Sequence, residues 1–177
     1  MRHFLFGLLI LSFINTAAQS EKKKFTYFQF DIAASITGNP DINEPDDQYG
    51  SHNNAWLVPD GLGSKIGYGI QYKKWITLGL HTGIDYKWND KLVAVPVYLN
   101  FGLSPKVGLE TRITVQAGYG KGFALGRGDL NGLYRKLRLG IGSDEFTIFV
   151  ETSQYDFRLY DQKNIQNISL GVSIISF

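Results

Sequence analysis

Strict alternation between apolar and polar or glycine residues is the feature that most constrains how this chain can fold. Beyond Lys24 the alternation has a period of two in eight successive segments, and no segment shows helical periodicity. The segments are Phe25–Thr37, Gly61–Lys73, Trp75–Lys87, Lys91–Leu103, Val107–Tyr119, Gly132–Gly142, Asp144–Phe157 and Asn164–Phe177. Segments of about 11 to 14 residues are longer than most strands of soluble proteins and long enough for tilted strands in a bilayer. The pattern predicts an all-β, eight-stranded antiparallel up-and-down barrel.

The connections between the predicted strands fall into two alternating sets. One set is short, at Lys73–Trp75, Ser104–Lys106 and Gly142–Asp144. The other set includes two long polar stretches, over residues 38–60 and 120–131. Short turns at one end and longer loops at the other are typical of outer-membrane barrels, with the loops outside the cell. The spacing therefore favours a transmembrane barrel.

Periodicity alone does not decide which face of the barrel is outside. A soluble, lipocalin-like carrier would place its apolar face inward. The polar face here is rich in glycine, as a narrow lumen requires. Aromatic residues also cluster at the ends of the apolar face, where membrane girdles form, at Tyr72, Trp75, Phe101, Tyr86, Trp88 and Tyr119. These two features favour the membrane arrangement, with the apolar face toward lipid.

The first residues differ in character from the rest. Arg2 and His3 precede a short apolar stretch over Phe4–Ile14, and small residues follow at Ala17 and Ala18. This pattern predicts a secretory signal peptide over residues 1–18 and a barrel domain over residues 19–177.

The sequence has no cysteine, which excludes disulfides and cysteine-based metal sites. A net charge of +2 and the absence of a basic, aromatic-rich stripe give no indication of nucleic-acid binding.

The last predicted strand, Asn167–Phe177, is amphipathic and ends on Phe177. In this respect, and in its overall architecture, the chain resembles the small Gram-negative outer-membrane barrels of the OmpA/OmpX type or the opacity type. The resemblance implies a location in the outer membrane, contact with outer-membrane lipid and lipopolysaccharide, and recognition of Phe177 by the barrel-assembly machinery, without a cofactor.

Two irregularities interrupt the alternation of the predicted strands. Ile174 and Ile175 break the alternation, which predicts a bulge near the end, and Pro96 predicts a bulge or an unpaired site.

The predicted lumen carries four acids and four bases. They are Asp31, Asp85, Glu110, Glu151, Lys65, Arg112, Lys136 and Arg138. Because isolated buried charges are costly and paired ones are tolerated, the equal numbers predict a neutral network that fills the barrel. A turn centred on Ser143 and Asp144 would place Lys136 opposite Glu151. The interpretation is a filled lumen in a non-enzymatic barrel acting in envelope structure or surface interaction. A narrow pore is the alternative.

Some small outer-membrane barrels are enzymes that remove or transfer acyl chains of lipid A, and that function is a second hypothesis. Such a site needs a nucleophile, a histidine and a carboxylate within hydrogen-bonding reach. His81 and Asp85 share the predicted lumen face but are about 13 Å apart along a strand. His52 follows Ser51 in the first loop, with Asp46 and Asp47 upstream. Neither arrangement matches a catalytic motif, so the sequence predicts no catalytic residue.

The two long loops are the predicted sites for a protein partner. The first is acidic, with Asp41, Glu44, Asp46, Asp47 and Asp60, but it lacks the spacing of a calcium loop. The interpretation is a solvated loop that holds no metal, in which Trp56 and Tyr49 either contact lipopolysaccharide or pack the loop against the rim. The second contains Arg127-Gly128-Asp129, an adhesive tripeptide that a charged glycine-rich loop tip also explains.

Overall fold

The computed structural model describes residues 24–38, 56–126, 130–157 and 165–177, and all statements below concern these ranges. They form a closed antiparallel barrel in which each strand pairs with its sequence neighbours and the first pairs with the last. The strands are β1 (Thr26–Gly38), β2 (Leu57–Tyr72), β3 (Ile76–Lys87), β4 (Leu92–Leu103), β5 (Arg112–Leu125), β6 (Asn131–Gly142), β7 (Phe146–Tyr155) and β8 (Ile165–Ser176). The predicted eight-stranded up-and-down barrel is confirmed. We call the end carrying the β2–β3, β4–β5 and β6–β7 connections the turn end, and the opposite end the loop end.

The orientation of the two faces is the inverse of that in a soluble barrel. Large apolar side chains are exposed on the outside, and charged and polar side chains are buried inside. Leu80 and Leu99, paired between β3 and β4, are each 59% exposed. The lipocalin-like arrangement is therefore contradicted. None of the described residues forms a helix with the length and apolar character needed to cross a membrane.

The fifth strand differs from its predicted bounds at both ends. It was predicted over Val107–Tyr119, but β5 begins at Arg112 because Pro105 and Gly108 lie in an extended turn. The amides of Val107 and Gly108 donate to the carbonyl of Thr111 and close this turn. At the other end β5 continues to Leu125, so the stretch predicted as a loop over residues 120–131 is largely strand. The observed strand therefore begins five residues and ends six residues later than the predicted one.

Glycine misled the prediction at the loop end of β5. Gly120 and Gly122 lay in the predicted loop, but in the structure they continue, together with Gly118, the inward alternation of a regular strand. A Cβ at Gly118 would lie 2.8 Å from a ring carbon of Tyr98, and one at Gly122 would lie 2.5 Å from the ring of Tyr155. The glycines make room for aromatic side chains that project inward from other strands.

The two expected irregularities behave differently. The β3–β4 register passes from the pair Thr82–Val97 to the pair Asp85–Ala94 with no partners between them, so Pro96 is unpaired toward β3 as predicted. The bulge predicted at Ile174 and Ile175 is wrong, because β8 pairs with β1 in one continuous register. Ile175 is buried inside the barrel instead, in phase with the inward residues Ser169 and Ser173 of the same strand.

Candidate functional site

The barrel interior contains a cluster of six buried ionised side chains. We call it the central ion cluster; its members are Asp31 (β1), Lys65 (β2), Asp85 (β3), Lys136 and Arg138 (β6), and Glu151 (β7). Three acids face three bases, so the cluster is neutral as a group. Strand alternation places these side chains on the polar face of their strands, which is the inner face of this barrel.

Glu151 lies at the centre of the cluster. Its Oε1 accepts a hydrogen bond from Lys65 Nζ at 2.8 Å, and its Oε2 accepts from Lys136 Nζ at 3.2 Å and from Arg138 Nη2 at 2.7 Å. Glu151 is completely buried. Charge-assisted hydrogen bonds of this kind offset the desolvation of the ions only when all partners are present. Glu151 therefore holds three cations that would otherwise repel one another.

The remaining acids complete two further ion pairs. Asp31 accepts a hydrogen bond from Arg138 Nη2 at 2.7 Å, and Lys65 Nζ lies 3.2 Å from Asp85 Oδ1. Tyr155 also donates to Asp85 through its hydroxyl group, at 2.5 Å. Every carboxylate of the central ion cluster thus has at least one cationic partner. The arrangement is a polar core, with ions bound to one another.

The β6–β7 register differs from the predicted one. Arg138, not Lys136, lies directly opposite Glu151, and Lys136 lies opposite Ser153. The reason is a longer turn: the amide of Ser143 donates to the carbonyl of Phe146 at 2.7 Å, which moves the pairing by two residues. Both cations still reach Glu151 because a shift of two residues keeps their side chains on the inner face.

Two of the predicted lumen residues do not belong to the central ion cluster. Glu110 is exposed in the β4–β5 turn, so its assignment to the lumen was wrong. Leu109 beside it is 94% exposed. Arg112 is buried, but its partner is Asp144 in the β6–β7 turn, with 2.5 Å between Nε and Oδ1. Arg112 belongs to the turn end of the barrel and has no contact with the central ion cluster.

A second buried ion pair lies at the loop end and was not predicted. Lys87 Nζ lies 3.7 Å from Asp60 Oδ2, and both side chains are buried. A bulge in β2 turns Asp60 inward, because the register moves from Ser35–Gly61 to Ile36–Pro59 and skips it. The interpretation of Asp60 as part of a solvated loop was therefore wrong. The alternation of β3 already indicated that Lys87 points inward, but nothing in the sequence indicated the bulge.

A row of aromatic rings fills the remaining space inside the barrel and was also missed. Neighbouring rings are 4.7 to 6.1 Å apart between centroids. The row runs through Tyr27, His81, Tyr98, Tyr134, Tyr155 and Phe157. Toward the loop end these rings pack with Leu92, Ala94 and Ile165 as an apolar plug. The sequence signal was present, since each tyrosine alternates in phase with a buried polar residue of its own strand.

The glycines of the inner face accommodate this row, which leads to a prediction for Gly67. A Cβ at Gly67 would overlap the imidazole ring of His81. We expect Gly67→Val to lower the free energy of unfolding by about 1–3 kcal/mol through overpacking. Gly38→Val is the matched control, because no atom of the described residues lies within 4 Å of a Cβ at Gly38. Thermal unfolding followed by gel mobility measures both. Equal midpoints for the two variants would contradict the packed interior.

His81 is a buried lumen residue. Its Nε2 lies 3.0 Å from the hydroxyl of Tyr27 and 3.5 Å from the amide nitrogen of Asn100. Asp85, on the same strand face, instead bonds Tyr155 and Lys65. Among the described residues, no group of three or more His, Cys, Asp or Glu side chains could hold a metal ion. Ser51, His52, Asp41, Glu44, Asp46, Asp47, Tyr49 and Arg127-Gly128-Asp129 lie outside the described residues.

The turn end is held by a three-residue ion bridge. Asp144 in the β6–β7 turn accepts from Arg112 Nε at 2.5 Å and from Lys74 Nζ at 2.9 Å. The hydrogen bonds from Arg112 and Lys74 lower the pKa of Asp144 to about 2 from its ordinary 3.8. The bridge links the β2–β3 turn to β5 and to the β6–β7 turn.

The lowered pKa of Asp144 predicts how this bridge depends on pH. A depressed folded-state pKa contributes stability above the ordinary value near 3.8, and this contribution is lost as the pH falls toward 2. We expect Asp144→Asn to be less stable than the wild type at pH 6 and equal to it near pH 2. The expected difference is small because the carboxylate is 38% exposed. Urea unfolding at the two pH values measures it, and a difference that persists at pH 2 would contradict the bridge.

Phe177 lies at the turn end, at the inner edge of the barrel. Its ring centroid is 6.5 Å from that of Tyr27, and Lys74 Nζ lies 5.2 Å from its ring centre. The terminal ring thus continues the aromatic row toward the turn end instead of joining the outer apolar face. Its recognition by the assembly machinery stays a prediction.

The inverted faces and the closed eight-stranded architecture define the class: the chain has the fold of the small outer-membrane β-barrels. The solved structures similar to it include three whose names are informative. The Neisserial surface protein NspA matches with a TM-score of 0.56 and 9% identity, covering 86% of this chain and 96% of NspA. The outer-membrane enzyme PagL matches with a TM-score of 0.53 and 14% identity, covering 81% and 98%. The N-terminal barrel domain of Pseudomonas aeruginosa OprF matches with a TM-score of 0.50 and 12% identity, covering 86% and 98%.

At these identities the similarity concerns the fold. No protein-family profile and no curated protein sequence matches the chain.

Proposed function

We propose that this protein is a non-enzymatic barrel of a Gram-negative outer membrane, acting in envelope structure or surface interaction. The observation that carries the proposal is the inverted distribution of side chains. An apolar exterior needs lipid around it, and a neutral ion-paired interior needs no water. The turn end would face the periplasm and the loop end the cell exterior, as in barrels of this architecture.

The location is tested by fractionation and by electrophoresis without and with heating. We expect the mature protein, without residues 1–18, in the outer-membrane fraction. The unheated barrel should migrate differently from the heated chain, because the closed barrel stays folded in detergent. A soluble periplasmic protein with a single mobility would refute the proposal.

The lumen is proposed to be closed to ions. The central ion cluster occupies its middle, and the rings of Tyr98, Tyr134, Tyr155 and Phe157 fill it toward the loop end. An eight-stranded barrel is only wide enough for its own side chains. We therefore expect no steady conductance in a planar bilayer. Steady ion flow through the purified protein would favour the narrow-pore alternative.

The parts of the chain available to partners are proposed to be the two loop regions, residues 38–60 and 120–131. In the second region, only residues 126–130 lie between β5 and β6. A barrel with a filled lumen offers its surroundings only its outer face and its loops. Replacing residues 39–55 by an Asn-Gly turn should leave the barrel folded and abolish binding to an external partner. Unchanged binding of cells to host or neighbouring surfaces would show that the binding site lies outside residues 39–55.

An acyl-modifying enzyme acting on lipid A is the second candidate function, and the similarity of the fold to that of the outer-membrane enzyme PagL favours it. The contacts of His81 do not support an enzyme. The hydrogen-bond partners of His81 are Tyr27 and Asn100, and its side chain is buried away from the outer face. We expect the single variants His52→Ala and His81→Ala to leave the mass spectrum of cellular lipid A unchanged. Loss of a modified lipid A species in either variant would support the enzyme.

A further inference from the structure

The hydroxyl group of Tyr155 is directed at a carboxylate inside the barrel. It donates a hydrogen bond to Asp85 Oδ2 at 2.5 Å, a short length that is typical of a hydroxyl group bound to a charged acceptor. The other carboxylate oxygen of Asp85 lies 3.2 Å from Lys65 Nζ, which balances its negative charge. Tyr155 and Asp85 are both buried. The pair therefore joins a phenol to a proton acceptor away from bulk solvent.

The neighbouring tyrosines of the aromatic row differ in this respect. The hydroxyl groups of Tyr98 and Tyr134 have no hydrogen-bond partner among the described residues. The hydroxyl group of Tyr27, toward the turn end, lies 3.0 Å from an imidazole nitrogen, Nε2 of His81. Tyr155 is thus the tyrosine of this row whose proton faces a carboxylate.

A carboxylate at this place changes what the phenol can do. A phenol that loses an electron becomes a strong acid, so the electron leaves readily only when the proton leaves in the same step. Asp85 can take the proton along the existing hydrogen bond. The products are a neutral phenoxyl radical, a carboxylic acid and one released electron. The interior gains one uncompensated positive charge, which favours the return of the electron.

Ring contacts connect Tyr155 to the loop end of the barrel. Its ring stacks on that of Phe157, with 5.0 Å between the centroids and 23° between the planes. The ring of Tyr134 is also close, at 4.7 Å. Phe157 is buried and directly precedes the region between β7 and β8. An electron can therefore tunnel from Tyr155 through one ring toward the loop end, while the radical itself stays enclosed.

The composition of the chain leaves few other places for an oxidising equivalent. The sequence has no cysteine, and its single methionine is Met1, in the predicted signal peptide. Residues 19–177 thus contain no sulfur, the element whose side chains are commonly oxidised in proteins. Tyrosine and tryptophan remain as the most readily oxidised side chains. The three tryptophans are exposed, at Trp56, Trp75 and Trp88, so the enclosed positions are tyrosines.

From this geometry we propose that Tyr155 and Asp85 form a proton-coupled redox site, which delivers one electron to an oxygen-centred radical at the loop end. The electron reduces that radical to its anion, which takes a proton from water, and the phenol proton rests on Asp85. A small phenolic or enediol reductant then returns one electron to Tyr155, and Asp85 returns the proton. The site adds a one-electron sink to the proposed role in envelope structure or surface interaction.

The test uses the full mature chain in phosphatidylcholine nanodiscs, oxidised by flash photolysis of a ruthenium tris-bipyridine complex with persulfate. Electron paramagnetic resonance measures the tyrosyl radical that persists after radicals at exposed side chains have decayed. We expect a persistent signal in the wild type, formed more slowly in heavy water because a proton moves with the electron. Tyr155→Phe removes only the hydroxyl group and should lose this signal. The matched control Tyr134→Phe removes an unpartnered hydroxyl group from the adjacent ring and should keep it.

Asp85→Asn should also lose the persistent signal, because an amide does not accept the proton. A signal of wild-type size in Tyr155→Phe would overturn the site, as would the absence of a persistent signal in the wild type or equal rates of formation in ordinary and heavy water. Loss of the signal in Tyr27→Phe instead would place the radical at the turn end and overturn it too. Heat-dependent gel mobility checks that each variant is folded. If Asp85→Asn does not fold, Tyr155→Phe and the solvent isotope effect decide the question.

Discussion

Replacing Glu151 by glutamine is expected to lower the free energy of unfolding by about 3–5 kcal/mol, the range for breaking one side of a buried ion pair. Glu151 is the shared partner of Lys65, Lys136 and Arg138, so its neutralisation leaves three cations with the two carboxylates of Asp31 and Asp85. The uncompensated charge is buried and is therefore not solvated by bulk water. Urea unfolding followed by the fluorescence of the three tryptophans measures the loss.

A second substitution should reverse most of this effect. In Glu151→Gln/Lys136→Met the surviving ions form two neutral pairs, Lys65 with Asp85 and Arg138 with Asp31. We expect the double variant to be more stable than Glu151→Gln alone. Glu110→Gln, which removes an exposed acid from the β4–β5 turn, is the matched control and should change nothing. If Glu151→Gln is as stable as the wild type, water reaches the cluster, and the lumen is open instead of filled.

The second large effect is expected on the outer face. Leu99 lies in the middle of β4 and is 59% exposed, so Leu99→Arg would place a cation in the centre of the proposed bilayer. We expect a loss of about 2–4 kcal/mol in the free energy of unfolding from lipid vesicles, as for arginine at the midplane of other barrels. Reversible unfolding in the presence of vesicles measures it.

Leu109→Arg is the control for this experiment. Leu109 is more exposed than Leu99, but it lies in the β4–β5 turn, which is proposed to be in water. Its replacement should have no measurable cost. A neutral or stabilising Leu99→Arg would show that the outer face is in water or against another protein, and would contradict the transmembrane assignment.

Much of this architecture could be predicted from the sequence because a strand has a side-chain period of two. The number of strands follows from the eight alternating segments, and the inward direction of Asp31, Lys65 and Glu151 follows from their phase. Where the prediction failed, the local signals conflicted. Glycines that make room for Tyr98 and Tyr155 resembled a loop in β5, and Pro105 and Gly108 displaced the start of the same strand.

The division of each strand into an apolar and a polar face was determined by the sequence itself, because alternation is a property of each strand alone, and the glycines of the polar face and the aromatic ends of the apolar face already favoured the inverted barrel. Which charges meet was decided only by the tertiary structure. Arg138 lies opposite Glu151 because the β6–β7 turn is longer than predicted, and Asp60 meets Lys87 because a bulge turns it inward. Such partners depend on turn length and on the stagger of strands distant in sequence, so a shift of two residues preserves the face and changes every pair.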